Sequence, residues 1–258
     1  MKPDNAGLPV AGVDGCKAGW IAAVRLPGEA PRVEIHGTME ALVDALLEET
    51  VIAVDMPIGL PDFTGAGGRG PERLVRRFLG QRQSSVFSIP SRSAIYAEPG
   101  PFASIEDWYA AHRSASAVAR ATSDPPRGVS IQAFGIFSKI REIDRLLIEW
   151  PALRARLFES HPEAAFWKLN ADAAMQLPKK VKNRINEPGM EERRELLIGC
   201  GLPADFVRFA PPRGAAADDF LDACAMLLIA ARHSRGETVS FPDPPPRDGR
   251  GLEIAIRV

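Results

Sequence analysis

Cysteine is scarce in this chain and widely spaced: Cys16, Cys200 and Cys224 are the three present. No CxxC pair marks a zinc site, and an odd, dispersed set sketches no disulfide framework. Reduced, mostly buried thiols in a cytosolic protein are the reading that compartment rules favour. Histidines are few and scattered as well, four in 258 residues, so nothing favours imidazole-bound zinc. An excess of positive charge is missing. The formal net charge of −1 supplies no global field to gather nucleic acid along a long, sequence-independent footprint, which leans toward a compact or structured substrate. No apolar run approaches the roughly 18 residues that span a bilayer, and the polar stretch Met1–Leu8 lacks the apolar core of a signal peptide. A soluble, cytoplasmic protein with no membrane partner is expected.

What is present is a core-forming composition. Apolar residues make up 45%, as in globular proteins that bury a real core, and the length suits one large α/β domain or two small ones. Val10 to Val13 is a short apolar run ending at Asp14-Gly15. Trp20 to Leu26 resumes strand character until Pro27-Gly28, and Arg32 to Gly37 alternates polar and apolar residues. These runs predict a β-meander. Thr38 is placed to cap a helix whose apolar positions are Ala41, Leu42, Ala45 and Leu46. Val51 to Val54 is continuously apolar, the mark of a strand covered on both faces, and ends at Asp55. The order β-β-β-α-β, with a helical crossover before the last strand, predicts that this strand joins the sheet in parallel.

Pro57 to Gly70 reads as a loop, Pro71 to Gly80 as a short basic helix, and Gln81 to Pro101 as turn-rich. Ser104-Ile-Glu-Asp107 resembles a capping box and opens a helix to about Ala121. After the break Asp124–Gly128, Ser130 opens a longer helix with Phe137, Ile140, Ile143 and Leu147 on one stripe, stopped by Pro151. Residues 61–151 thus read as a mostly helical insertion within a single domain spanning 1–258. Arg156 to Ser160 is a weak strand candidate and Lys179 to Arg184 a basic loop. Met190 to Ile198 and Ala215 to Ser234 are helical, and Phe241 to Gly251 is an extended, proline-rich tail.

The carboxylates carry the chemistry. Asp14 and Asp55 each follow an apolar strand, and if those strands are parallel neighbours both acids reach the same sheet edge, where ligands of open α/β sheets bind. Singly, each is explained as a turn residue, Asp-Gly being a common turn pair. Together they repel unless a cation or shared proton intervenes. In the final helix the apolar stripe Ala223, Met226, Leu227, Ala230 continues back through Asp219 and Asp222. Buried carboxylates are costly. The helix N-terminus offsets part of that cost, and a bound metal would offset the rest. Capping by Asp218 explains one acid but not three. Glu163, in His161-Pro162-Glu163, is a weaker candidate: alone it reads as a surface acid, and His161 as a structural hydrogen-bonder. Clustered carboxylates suit Mg2+ or Mn2+, which take hard oxygen ligands and, paired, activate water for phosphate chemistry.

The motifs taken in order resemble a family. Gly12-Val-Asp-Gly-Cys-Lys-Ala-Gly-Trp20 is similar to the opening of domain-of-unknown-function family 429, a family of predicted ribonuclease-H-like nucleases. Further matches are Val54-Asp-Met-Pro-Ile-Gly-Leu60, Gly80–Phe87 with Pro90-Ser-Arg92, Ser130–Phe134 with Lys139–Glu142, His161-Pro-Glu163 and Asp218–Ala223. The resemblance implies an α/β fold with a ribonuclease-H-like mixed sheet, flanked by helices. In that fold one catalytic acid ends the first strand, another lies at the fourth, and others come from the last helix. Asp14, Asp55, and Asp219 with Asp222 stand at matching places.

Substrate contacts are expected from the same segments. Arg82, Ser84, Ser85, Arg92, Gln132 and Lys139 lie in motif stretches, and Lys17 follows Asp14 by three residues. Each could meet phosphate or solvent; the pair Lys179-Lys180 reads as surface. Three functions compete. The first is a metal-dependent phosphodiester hydrolase acting on nucleic acid or a nucleotide-like phosphate ester. The second is a nucleotide-binding phosphotransferase or ATPase of the actin and sugar-kinase type, which wants two such cores, whereas the second half of this chain does not repeat β-β-β-α-β. The third is a non-catalytic binding protein, disfavoured by carboxylates that cost stability without a ligand.

Overall fold

Three strands joined by short turns open the chain. β1 (Val10–Cys16), β2 (Gly19–Arg25) and β3 (Arg32–His36) form the expected antiparallel meander. The structure is a computed structural model that describes residues 7–182 and 184–258. Residues 1–6 of the polar N-terminal stretch and residue 183 of the basic loop lie outside the described residues. Thr38 caps α1 (Met39–Ala45), its side chain accepting from the Ala41 amide at 3.1 Å. The helix delivers the chain to β4 (Val51–Val54), which runs parallel to β1 with Val54 opposite Val13.

Helices and turns fill the stretch between β4 and the next sheet strand. They are α2 (Pro71–Arg76), α3 (Arg92–Tyr96), α4 (Ile105–Ala121), α5 (Ile131–Gly135) and α6 (Phe137–Glu149). Ser104 and Ser130 cap as expected, accepting from Asp107 and Ala133 amides at 3.0 and 3.1 Å. The single helix expected from Ser130 is instead broken at Ile136 into α5 and α6. β5 (Leu157–Glu159) pairs parallel with β4, placing Glu159 opposite Val54, and completes a five-stranded mixed sheet in the order β3-β2-β1-β4-β5. α7 (Pro162–Leu169) follows. The basic loop expected over 179–184 carries two short paired strands, β6 (Lys180–Val181) and β7 (Arg184–Ile185). α8 (Glu187–Gly199), α9 (Ala204–Val207) and α10 (Ala217–Ser234) lead to a tail closed by the pairing of β8 (Ser240–Phe241) with β9 (Ile256–Arg257). No helix among the described residues is long and apolar enough to cross a membrane.

Strand alternation sorts the core into two layers. Ala11, Val13, Ala22, Val24, Ile52 and Val54 pack with residues of α1, α4 and α6, while Val10, Ile21, Ala23, Val51 and Ala53 pack with α7, α8 and α10. By the same alternation Gly12 and Asp14 face α10. The contact there is backbone on backbone: a Cβ at Gly12 would stand 1.9 Å from the Leu227 nitrogen and 2.2 Å from the Ala223 oxygen. Only glycine allows α10 to close on β1, and that closure sets how near Asp222 comes to Asp14. Gly12→Ala therefore overpacks a site where neither neighbour can yield, and is expected to cost about 3 kcal/mol or more in a urea melt. Gly135→Ala meets nothing within 4 Å and should be neutral or slightly stabilising, as glycine is a weak helix former.

Candidate metal centre

Asp14 sits inside β1, and Asp55 follows β4 directly. The Asp55 amide donates to the Val13 carbonyl at 2.9 Å, which extends the parallel pairing one residue and holds Asp55 beside Asp14. Asp222 arrives from α10, on the face pressed against β1. One carboxylate oxygen from each of Asp14, Asp55 and Asp222 lies within 4.8 Å of the others. Asp14 and Asp222 are 8% and 5% exposed, so their charges have little water to screen them.

The consequences appear in their protonation. Burial, then the neighbouring Asp55 and Asp222, raise Asp14 well above the ordinary carboxylate range. Burial and Asp222 push Asp55 up to about 8, opposed by Lys179. Asp222 rises less, to about 6, because burial is countered by the Lys179 ammonium hydrogen-bonded to it. Burial alone would lower Lys179, but Asp222 and Glu163 hold it above its usual value, and so charged.

Around this triad most of the other acids are paired, Asp219 excepted. Glu159 accepts from Arg69 at 2.6 and 3.0 Å and from the Ile58 amide at 2.7 Å, and Arg69 also reaches Glu72 at 2.7 Å. Glu163 is paired with the fully buried Arg193 at 2.7 and 2.9 Å, and Asp218 with Lys180 at 2.5 Å. Among the described residues Asp14 and Asp55 form no ion pair with a cationic side chain, so no ion pair offsets the charge that each takes on when it loses its proton. Asp222 Oδ1 is buried without a hydrogen-bond partner. A divalent cation with a preference for hard oxygen fits this donor set. Oxygens across a hexacoordinate ion with bonds of about 2.1 Å are about 4.2 Å apart, inside the 4.8 Å within which the three lie, and the unpartnered Asp222 oxygen is available as a ligand. No thiolate or imidazole belongs to the triad, whose donors are carboxylate oxygens alone.

Asp14 and Asp55 line a cavity of about 170 Å³. Of the sequence-proposed contacts, Ser85 and Lys139 also line it; Lys139 crosses Gly15, donates to the Gly19 carbonyl and stands 4.4 Å over the Trp20 ring. The other candidates are placed elsewhere. The Asp219 carboxylate turns back to the Ala216 amide at 2.9 Å and caps α10. Arg92 is committed to Asp144 and Asp248, at 2.9 and 2.8 Å. Lys17, Ser84 and Gln132 are exposed and Arg82 half-buried, and none of the four lines the cavity. Glu159, Arg69 and the Lys179–Asp222 pair were missed. Glu159 repeats the signal that found Asp14 and Asp55, an acid at the end of an apolar strand; Arg69 and Lys179 lie in loops with no pattern to single them out.

A metal-free protein should carry this repulsion as a pH dependence. Asp55 titrates near 3.9 in an unfolded chain but near 8 here. The folded state therefore holds the extra proton between these values, and stability falls as pH rises toward 8. His161, lowered by burial to about 4, acts oppositely but only below its ordinary value near 6.5. In chelator, the melting temperature should fall between about pH 6.5 and about pH 8.5, and Asp55→Asn should flatten the decline and melt higher at the upper end. A wild-type profile already flat over that interval would contradict the assignment.

No curated protein and no solved structure matches the chain. One family profile does, over residues 12–247, a span that contains Asp14, Asp55 and Asp222 together with every residue that lines the cavity except Ile256. On that match the chain belongs to the family described as "Protein of unknown function (DUF429)".

Proposed function

We propose that this protein is a metal-dependent phosphodiester hydrolase, nuclease-like in chemistry, in which Asp14, Asp55 and Asp222 hold Mg2+ or Mn2+. The observation that carries the reading is the convergence of three repelling carboxylates from β1, β4 and α10 on one point, with an unpartnered buried oxygen among them. The sheet order β3-β2-β1-β4-β5, antiparallel through the meander and parallel beyond β1, supports a ribonuclease-H-like fold. The phosphotransferase alternative wants a second such core, and the described residues contain one five-stranded sheet.

A divalent ion bound to such a set neutralises phosphate charge and makes water more acidic. The protein's own groups do the rest. Lys179 fixes one Asp222 oxygen and offsets part of the acid excess. Asp219 acts as an outer acid: its charge is felt at Asp14 and Asp55 while its carboxylate serves the helix terminus. Glu163 stands behind Lys179 and helps keep it charged. Lys139 and Ser85 are placed on the cavity wall to meet phosphate oxygens. His161 is neutral near pH 7. Its Nδ1 accepts from the Glu163 amide at 3.2 Å, which leaves Nε2 to donate to the Ser85 carbonyl at 3.4 Å. It positions the Ser85 wall rather than moving protons.

Millimolar Mn2+ or Mg2+ should raise the melting temperature, since a ligand at 100 times its dissociation constant stabilises by about 2.7 kcal/mol. Either metal should support hydrolysis of bis(p-nitrophenyl) phosphate. Asp14→Asn should lose both effects, with a rate drop beyond the roughly 100-fold that losing an outer partner of a metal ligand can cost. Wild-type protein that neither binds metal nor cleaves the diester would refute the reading.

A further inference from the structure

The cavity beside the carboxylates has a shape and a charge that select among phosphate esters. Resting on the hydrolase reading, we propose that the substrate is a single nucleotide-sized phosphate ester, free or at the end of a strand, and that duplex nucleic acid is excluded.

Size is the first argument. The cavity holds about 170 Å³, near the roughly 150 Å³ at which an engineered protein cavity accepts a benzene ring. It admits one ring system and not a stacked pair. Its lining combines the carboxylates of Asp14 and Asp55 with the apolar side chains of Val86, Phe87, Ile89 and Ile136. A ligand matching both kinds of lining carries an anionic phosphate for a metal held by the carboxylates and a flat, weakly polar ring for the apolar side chains. Phe87 is half-buried, packs against the core on the α1, α4 and α6 side of the sheet, belongs to none of the aromatic pairs among the described residues and lines the cavity, so a base entering the cavity meets its ring.

The count of available cations is the second argument. Of the two cationic side chains lining the cavity, Arg69 is committed to Glu72 and Glu159. Lys139 lines it without a carboxylate partner; its ammonium donates to one carbonyl and lies over an aromatic face, and with three N–H donors it has capacity left for a phosphate oxygen. One ammonium suits one phosphate group. Affinity for a polynucleotide backbone comes from many phosphate contacts, and neither the lining nor the net charge of −1 supplies them.

Access is the third argument. With Asp14 8% exposed and Asp222 5% exposed, a phosphate must leave the surface to reach them. An internal phosphate of a duplex cannot do so without extruding its nucleotide, which costs unpairing and unstacking.

The test uses the full chain with Mn2+ and four probes: thymidine 5′-monophosphate, its p-nitrophenyl ester, a labelled single-stranded oligonucleotide, and closed circular duplex DNA. The monophosphate should raise the melting temperature beyond metal alone. Phe87→Ala should weaken its binding about tenfold, in the range of lost base–aromatic stacking, with the Mn2+ titration unchanged. Lys139→Gln, a polar swap on a partly exposed chain, gives a second reading of the same loss should Phe87→Ala fold poorly. The ester should be turned over and the circle left intact. Trimming of the oligonucleotide from its ends identifies a terminal nucleotide as the unit, and an intact oligonucleotide identifies a free one; both support the proposal. Nicking of the circle, internal cleavage of the oligonucleotide, or no shift with the monophosphate overturns it. A nucleotide-dependent shift with no turnover of any probe keeps the nucleotide-sized site and overturns the hydrolase reading, whereas nicking of the circle keeps the hydrolase reading and overturns the nucleotide-sized site.

Discussion

Mutual repulsion among Asp14, Asp55 and Asp222 is the constraint around which this molecule is arranged. Three carboxylates do not gather by attraction. They are brought together because β1 and β4 are parallel neighbours and because Gly12 lets α10 rest directly on β1. The free energy that holds them comes from burial of the sheet's two faces, spread over many apolar side chains. The cost is local, carried by groups with raised proton affinity. A fold that spends stability in this way gains a site ready for a cation.

The charge arrangement nearby follows the same logic. Glu159, Glu72, Glu163 and Asp218 each have a guanidinium or ammonium partner, so the acids surrounding the triad add little net charge. Lys179 treats Asp222 likewise but reaches only one oxygen. What remains is an acid excess at Asp14 and Asp55, on the lining of a cavity that also carries apolar side chains. Buried pairs of this kind contribute little net stability but are costly to break. Their role here is to localise charge: Arg69 ties the turn after β4 to the end of β5, and His161 ties the turn after β5 to the Ser85 wall.

Much of this was legible in the sequence where periodicity is long enough to speak. The meander, the crossover helix and β4 were readable because continuous or alternating apolar runs set strand faces, and Asp14 and Asp55 stood out as acids ending them. The stripe of α10 brought Asp222 inward correctly, but the same stripe could not say that Asp219 turns its carboxylate back to the Ala216 amide, because helical spacing fixes direction and not side-chain rotamer. β5 has three residues, too few to establish an alternation, so Glu159 passed unnoticed although it stands opposite Val54 in the ladder. Arg92 lies in a motif yet serves Asp144 and Asp248: a motif marks importance without saying whether it is structural. Lys179 looked like surface because its partner is 43 residues away, a contact created by tertiary closure alone.

A crystal of the protein soaked in millimolar manganese and measured at the metal's absorption edge tests the central claim most directly. The account predicts one anomalous peak within bonding distance of Asp14, Asp55 and Asp222, with the Asp222 oxygen that lacks a partner among its ligands. Three carboxylates that stay protonated and bonded to one another, or to Lys179, with no peak between them would contradict it.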